Sequence, residues 1–277
     1  MQVLESIAAF RQARRAMTGS VGFVPTMGYL HEGHMELARR ARAANDHVVA
    51  SIFVNPAQFG PHEDFAAYPR DPDRDLAMLK KEGVDAVFLP PLAEMYPPGA
   101  CTFVNVEGLS QKLEGASRPG HFRGVATVVA KLFNIVQPTR AYFGQKDAQQ
   151  VVIIQKMAAD LDFPLEIVVC PTVREPDGLA MSSRNVYLSP AERKGAAVLY
   201  RSLCLAQEMS QQGERRANVI RQAMTRLIEA EPRARLDYIS LAHPQTLDEL
   251  DTLEGRTLVS LAVFFGKTRL IDNAILE

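Results

Sequence analysis

The sequence predicts an α/β fold, in which a parallel sheet is covered by helices, followed by a smaller α+β domain. Three observations lead to this fold class. The composition, 47% hydrophobic and 23% charged, is that of an ordinary folded protein with a large core. Up to Arg174, short β-branched runs alternate with stretches of helical periodicity. Beyond Arg174 this alternation stops, so a domain boundary is expected near residue 175.

The first domain, residues 1–174, is predicted from runs rich in Val, Ile or Phe that are separated by amphipathic stretches. The expected buried strands are Val21–Pro25, Val48–Val54, Val84–Leu89, Ala141–Phe143 and Leu165–Val169. The expected helices are His34–Ala44, Asp73–Glu82, Val125–Val136 and Ala148–Leu161. We therefore predict a Rossmann-like parallel sheet with helices on both faces. Ligands of such sheets bind at the carboxyl ends of the strands.

The second domain, residues 175–277, is expected to act as a lid. It opens on the turn signal Glu175-Pro176-Asp177-Gly178. Two long helices and then three strands are expected: Pro190–Gln211, Arg215–Glu231, Leu236–Ala242, Thr257–Phe265 and Thr268–Ile275. Gly266-Lys267 predicts a tight hairpin between the last two strands.

In the first domain, two long irregular stretches interrupt the alternation of strands and helices. They are Asn55–Pro72 and Pro90–Phe122, and loops of this length are often functional.

Charge and cysteine content exclude several classes of protein. The chain has 31 Lys and Arg against 32 Asp and Glu, and a net charge of −1 argues against a binder of nucleic acid or anionic lipid. Three widely spaced cysteines form neither a disulfide framework nor a zinc motif, which favours a reducing compartment. Met1–Phe10 has no continuous apolar run, and no apolar stretch is long enough to span a membrane. A cytoplasmic protein is expected.

The segment Pro25–His34 joins the first predicted strand of this domain to the first predicted helix. Gly28 and Gly33 allow a sharp turn and a close approach to a ligand, and the helix N-terminus favours an anion such as phosphate. A P-loop is excluded because His34-Met35 stands where Lys-Ser/Thr is needed. His31 and His34 could be metal ligands or structural histidines, but no third ligand motif accompanies them. We favour two imidazoles that donate hydrogen bonds to phosphate.

Three alternating carboxylates, Asp71, Asp73 and Asp75, allow a metal interpretation. Carboxylates are also favoured in the first turn of a helix by its dipole, and we prefer this second interpretation. No metal-ligating residue is predicted.

His31-Glu32-Gly33-His34 resembles the HIGH signature of the nucleotidyltransferase and class I aminoacyl-tRNA synthetase superfamily. Ala180–Arg184 resembles its second signature, KMSKS. Longer matches resemble one family, the pantoate–β-alanine ligases (pantothenate synthetases), from end to end of the chain. The matching segments are Pro25–His34, Phe53–Phe59, Tyr68–Arg70, Arg118–Val125, Phe143–Asp147 and Met181–Asn185.

The resemblance implies an ATP-dependent ligase that condenses pantoate with β-alanine through pantoyl adenylate, releasing pyrophosphate and AMP. It also implies Mg²⁺ and a homodimer, and it assigns proton donation to the catalytic His34. The implied nucleotide-binding residues are Met27, Gly28, Tyr29, Leu30, His31, Glu32, Gly33, His34, Gly144, Gln145, Lys146, Asp147, Val173, Met181, Ser182, Ser183 and Arg184. Pantoate is assigned to Gln58 and Gln150.

Three alternatives stay open at this point. A nucleotidyltransferase of the same superfamily would keep the adenylylated product, but the Gln58 and Gln150 pair, the Arg118–Val125 motif and the C-terminal domain argue against it. A tRNA synthetase fragment would need a tRNA-binding module with a basic surface. Residues 175–277 hold 13 basic and 14 acidic side chains, which argues against such a module. A third alternative is a nucleotide-sensing protein on the same fold. Such a protein would not need both signatures for phosphate binding, His31–His34 and Ala180–Arg184.

Overall fold

The computed structural model describes residues 1–61 and 63–277; His62, within the predicted irregular stretch Asn55–Pro72, lies outside the described residues. The strands are β1 (Gln2–Leu4), β2 (Val21–Thr26), β3 (His47–Ile52), β4 (Ala86–Phe88), β5 (Arg140–Gly144), β6 (Glu166–Cys170), β7 (Ala234–Ala242), β8 (Thr257–Phe265) and β9 (Thr268–Leu276). The helices are α1 (Ile7–Arg15), α2 (Glu32–Ala44), α3 (Pro72–Lys81), α4 (Leu92–Met95), α5 (Glu114–Ser117), α6 (His121–Val136), α7 (Ala148–Asp160), α8 (Pro190–Ala196), α9 (Val198–Gln211) and α10 (Ala217–Glu229).

Strands β1 to β6 form one parallel sheet in the order β1-β4-β3-β2-β5-β6. Strands β3 and β4 follow β2 on one side of the sheet, and β5 and β6 follow on its other side. The direction in which strands are added therefore reverses between β2 and β5, which are neighbours. Open sheets bind ligands at such a reversal, outside the carboxyl ends of the strands. Thr26 ends β2 and Gly144 ends β5, so the two strand ends lie side by side.

Alternate residues of the central strands point to opposite faces of the sheet and enter two different cores. Val21, Phe23 and Val49 pack with Phe10 of α1 and with the apolar residues of α6 and α7. Val24, Val48 and Ala50 pack with α2 and with Leu79 of α3. Burial on both faces explains the nearly continuous apolar runs of these strands. The prediction of helices on both faces is confirmed.

Helix α6 is the most buried helix of this part of the chain and contacts the 3₁₀ helix Pro56–Gln58. A Cβ atom at Gly124 would lie 2.1 Å from the carbonyl oxygen of Ala57, so only glycine permits this contact. The first turn of α6 therefore fixes the backbone that carries Gln58. Among the described residues, no helix is long and apolar enough to cross a membrane.

Strands β7, β8 and β9 form a separate antiparallel sheet, and α9 and α10 pack on it. The predicted hairpin is confirmed: β8 and β9 pair from Phe265 and Thr268 outward, and Gly266 has a φ of +56°. One prediction was wrong. The expected single helix Pro190–Gln211 is two helices, α8 and α9, separated at Ala197, where ψ is −15°. Gly195, a weak helix former, lies just before this break.

The chain divides into two compact units. The first comprises Met1–Gly144 and Gln150–Pro171, and the second comprises Gln145–Gln149 and Thr172–Glu277. The division after Pro171 lies close to the expected boundary at residue 174. The membership of Gln145–Gln149 in the second unit was not expected, because the predicted boundary at residue 174 places this segment in the first domain.

Candidate active site

The segment after β2 makes a sharp turn at the carboxyl edge of the sheet. Gly28 and Tyr29 have φ values of +85° and +48°, so two consecutive residues adopt left-handed backbone. The Thr26 hydroxyl donates to the Ser51 carbonyl at 2.7 Å and accepts the Gly28 N–H at 3.2 Å. The turn is thereby anchored to β3.

Asp75 holds the same turn from the first turn of α3. Its carboxylate oxygens accept the N–H groups of Tyr29 at 2.6 Å and Leu30 at 2.7 Å, and the side chain is 1% exposed. Burial raises the pKa of Asp75, and these two hydrogen bonds oppose the rise. Of the three alternating carboxylates, Asp71 caps α3 and Asp73 is exposed. Sequence reasoning did not find this role of Asp75, because the two segments are more than 40 residues apart.

His31 and His34 lie at the N-terminus of α2, which begins at Glu32 rather than at His34. The His31 Nδ1 atom accepts the Gly33 N–H at 3.2 Å, and the His34 Nδ1 atom accepts the His31 N–H at 3.3 Å. Because both Nδ1 atoms are acceptors, the neutral imidazoles carry their protons on Nε2. The ring centroids are 4.2 Å apart. The segment therefore holds two Nε2–H donors at the positive end of a helix.

The Glu32 side chain is exposed and pairs with Arg39. A contact between Glu32 and a nucleotide would therefore come from its backbone. Tyr29 is half-buried, and the Arg74 guanidinium lies 5.2 Å from the centroid of its ring.

Gln58 is 8% exposed and belongs to a buried polar network. Its Oε1 atom accepts from Asn55 Nδ2 at 3.0 Å, and its Nε2 atom donates to the sulfur of Met27 at 3.2 Å. The Tyr96 hydroxyl donates to Asn55 Oδ1 at 2.9 Å. Two residues that the sequence assigned to ligand binding, Met27 and Gln58, are thus brought together.

A second row of side chains lies behind Gln58. Arg118 forms a bidentate pair with Glu63, at 2.8 and 2.5 Å, and its Nη1 atom lies 3.1 Å from His121 Nε2. Because arginine only donates, His121 Nε2 is an acceptor and Nδ1 carries the proton. The Nδ1–H group then donates to the Gln58 carbonyl at 2.8 Å. The Arg118–Val125 match pointed to this segment, but not to its role in holding Gln58.

The pKa of His121 predicts a pH dependence of stability. Burial, and then the charge of Arg118, lowers this pKa from 6.5 to about 4, against the smaller opposing effects of the hydrogen bond to the Gln58 carbonyl and of the charges of Glu63 and Glu114. Between about pH 7.5 and 5, the unfolded chain gains a proton at His121 and the folded chain does not. The free energy of unfolding should therefore fall by about 2 kcal/mol from this residue alone.

His121→Asn keeps a donor near the Gln58 carbonyl but does not titrate, so it should remove this part of the pH dependence. Denaturant unfolding of both proteins at the two pH values measures the effect. An identical pH dependence in the two proteins would show that His121 does not titrate as inferred.

Gly144 and Gln150 belong to the first unit, whereas Gln145, Lys146 and Asp147 belong to the second. A Cβ atom at Gly144 would have no neighbour within 4 Å among the described residues, and its φ is not positive. Gln150 is half-buried near the start of α7. Lys146 Nζ lies 3.5 Å from Asp147 Oδ1, and the Gln145 side chain donates to Asn273 at 3.0 Å.

The segment Thr172–Asn185 of the second unit folds back on itself. Arg174 and Ala180 form an antiparallel bridge, and the Met181 N–H donates to the Val173 carbonyl at 3.0 Å. The Ser182 hydroxyl accepts the Arg184 N–H at 3.3 Å and caps a 3₁₀ helix over Ser183–Tyr187. Ser183 is buried, at 8% exposure, while Ser182 and Arg184 are half-buried. The segment that resembles the second signature, Ala180–Arg184, is thus an ordered turn and helix start.

The described residues contain no group of three or more His, Cys, Asp or Glu side chains that could hold a metal ion. A magnesium ion that arrives with a triphosphate needs only one or two carboxylates, because the phosphates and water supply its other ligands. Asp147, with 47% of its side chain exposed, fits that lesser requirement.

Comparison with known proteins decides the family. The family model of pantoate-beta-alanine ligase matches residues 2–275. The chain belongs to the pantoate–β-alanine ligase family. It is an enzyme of that class, a ligase that joins pantoate to β-alanine.

Relatives of this ligase family match the whole chain, and solved structures match nearly all of it. Pantothenate synthetases of Roseiflexus castenholzii and Moorella thermoacetica are 62% and 58% identical, and the matches cover 100% of this chain and 100% and 99% of the relatives. The crystal structure of the pantothenate synthetase from Thermus thermophilus has a TM-score of 0.96 at 52% identity, with 99% of each chain covered. The Francisella tularensis ligase, described as complexed with beta-gamma ATP and beta-alanine, has a TM-score of 0.83 at 36% identity, with 99% and 97% covered.

Proposed function

We propose that this ligase works in two steps, through an enzyme-bound pantoyl adenylate. A carboxylate oxygen of pantoate attacks the α-phosphorus of ATP, and pyrophosphate leaves as the bond between the α- and β-phosphates breaks. The amine of β-alanine then attacks the acyl carbon and loses a proton, and AMP leaves as the acyl–oxygen bond breaks. The observation that carries the proposal is the pair of Nε2–H donors of His31 and His34 at the start of α2.

In the first step, negative charge grows on the phosphate oxygens. His34 donates a hydrogen bond from Nε2 to this charge, and His31 assists from the same helix end, where the dipole adds positive potential. Met27–Gly33 lines the nucleotide with backbone groups that Asp75 and Thr26 hold in place. Because the whole protein has a net charge of only −1, the potential for ATP has to be local.

Pantoate bears hydroxyl groups and a carboxylate, which suits the amide groups of Gln58 and Gln150. Gln58 is held by Asn55 on its side chain and by His121 on its carbonyl, so its amide is oriented before the substrate arrives. Gln58 also borders the β-alanine position.

The remaining nucleotide-binding residues of the proposal belong to the second unit, except Gly144, which belongs to the first. Lys146 is a point charge for phosphate oxygens, and Ser182, Ser183 and Arg184 bind the triphosphate with hydroxyls and a guanidinium fork. Val173 offers its backbone to adenine, and Gly144 leaves room for the nucleotide. Asp147 would help to hold a magnesium ion that arrives with the triphosphate, and such an ion would neutralise phosphate charge when bound. The proposal includes a homodimer in the cytoplasm.

Product analysis with Mg-ATP tests the proposal. With pantoate alone, we expect one equivalent of pyrophosphate and retained adenylate; on addition of β-alanine, AMP and pantothenate should form in equal amounts. A nucleotidyltransferase would instead release the adenylylated product without β-alanine. AMP formation that does not depend on β-alanine would contradict the ligase mechanism.

A further inference from the structure

Asn273, on β9, binds the segment that carries Lys146. The side chain is buried, at 4% exposure. Its Nδ2 group donates to the carbonyls of Gln145 at 2.9 Å and Lys146 at 2.8 Å, and its Oδ1 atom accepts from Gln145 Nε2 at 3.0 Å. These three hydrogen bonds explain why Gln145–Gln149 belongs to the second unit.

The preceding residue, Asp272, binds the segment that carries the second phosphate-handling signature. Its buried carboxylate forms a bidentate pair with Arg174, at 2.6 and 3.0 Å, and also accepts the Asn273 N–H at 2.8 Å. Arg174 donates to the Gly178 carbonyl at 2.9 Å. It therefore closes the turn whose return strand leads directly into Met181–Arg184.

Successive residues of a strand point to opposite faces. Asp272 has the register of Leu270 and Leu276, which belong to the core of the second unit, and Asn273 has the opposite register. The two segments are thus held from the two sides of one strand, by neighbouring residues. The Lys146 and Arg184 side chains lose much conformational freedom when they are ordered on a phosphate. Because the backbones that carry them are already fixed, no further backbone freedom is lost, and the cost of binding is lower.

We infer that Asn273 and Asp272 are positioning residues, which hold the Lys146 segment and the Met181–Arg184 segment as one prearranged set of phosphate-binding groups. The inference rests on the proposed function only in assigning the two segments to ATP. It extends that function by assigning a role in substrate binding to the last strand of the chain.

The test uses Asn273→Asp, which keeps the shape of the side chain but turns a carboxylate towards two carbonyl oxygens. Calorimetric titration of the full chain with a non-hydrolysable ATP analogue should show about tenfold weaker binding. In a Lys146→Met background the same substitution should change the affinity less than twofold, because its effect passes through Lys146. The KM for pantoate should change less than twofold.

The second half of the inference is tested in the same way, with Asp272→Asn measured alone and in an Arg184→Gln background. If Asp272→Asn does not fold, Arg174→Lys breaks the bidentate pair while keeping a cation. Either variant should weaken binding of the analogue several-fold alone and less than twofold when Arg184 is already replaced.

Ser202→Ala is the matched control for stability. Ser202 is buried in α9 of the same unit, where its hydroxyl donates to the Leu199 carbonyl at 2.7 Å. It should lower the melting temperature without changing affinity for the analogue. Unchanged affinity in folded Asn273→Asp, or an equal effect with and without Lys146, would overturn the inference. Wild-type protein that binds the analogue but forms no β-alanine-dependent AMP would instead refute the proposed function alone.

Discussion

Asparagine in place of His34 should slow adenylate formation roughly 100- to 1,000-fold and change the free energy of unfolding by less than about 1 kcal/mol. The Oδ1 atom of asparagine can take the place of Nδ1 and accept the His31 N–H, so the helix start keeps its hydrogen bond. The Nε2–H donor, which faces the growing phosphate charge in the proposed mechanism, is lost. Pantoate-dependent exchange of pyrophosphate into ATP measures this step without β-alanine.

Glu36→Gln is the matched control for His34→Asn. It removes a charge from the same helix, where Glu36 pairs with Arg40 at 2.7 Å on the surface, and it should leave the exchange rate within twofold of the wild type. Normal exchange in His34→Asn with a slow β-alanine step would refute the role of His34 in the first step.

Asp75→Asn should reduce both stability and ATP affinity. The amide keeps one acceptor for the two N–H groups of Tyr29 and Leu30 and turns a donor towards the other. We expect a loss of about 2–4 kcal/mol in the free energy of unfolding and about a tenfold rise in the KM for ATP. The rise follows because the turn at Gly28 and Tyr29 has left-handed backbone that Asp75 stabilises. Denaturant unfolding and initial-rate kinetics measure the two effects.

Asp73→Asn provides the comparison, since Asp73 lies in the same turn of α3 but is exposed. It should change stability by less than about 0.5 kcal/mol and leave the KM for ATP unchanged. Equal effects of the two substitutions would mean that the charge near the helix start matters, and not the hydrogen bonds to the turn.

The central strands and their helices could be predicted because burial on both faces leaves a strong apolar signal. Val21–Thr26 and His47–Ile52 differ from the predicted strands by only one or two residues at their ends. The signal fails at the edge of the sheet. Strand β1 has three residues, two of them exposed, so it leaves no strand period. Helix α1 is amphipathic, but it is only nine residues long and Phe10 is its single buried residue, so its apolar face is short. Neither element was predicted.

The candidate site was predictable where function depends on a contiguous motif. The turn and helix start over Met27–His34 are of this kind, and their chemistry follows from glycine conformation and the helix dipole. Asp75, His121 and Asn273 act through contacts between segments 45, 63 and 127 or 128 residues apart. Nothing local marks such residues, because each is an ordinary polar side chain until the fold supplies its partner.

The membership of Gln145–Gln149 in the second unit has a consequence for dissecting the protein. A protease cut after Pro171 would release Thr172–Glu277 but leave this pentapeptide behind, without the buried amide of Asn273 that it binds. The N-terminal fragment would retain Lys146 in its sequence and lose the support for its backbone. No single cut divides this enzyme into its two units, because the second unit is made of two separate stretches of the chain. Two halves produced separately would together contain every residue, but the second half would lack part of its unit.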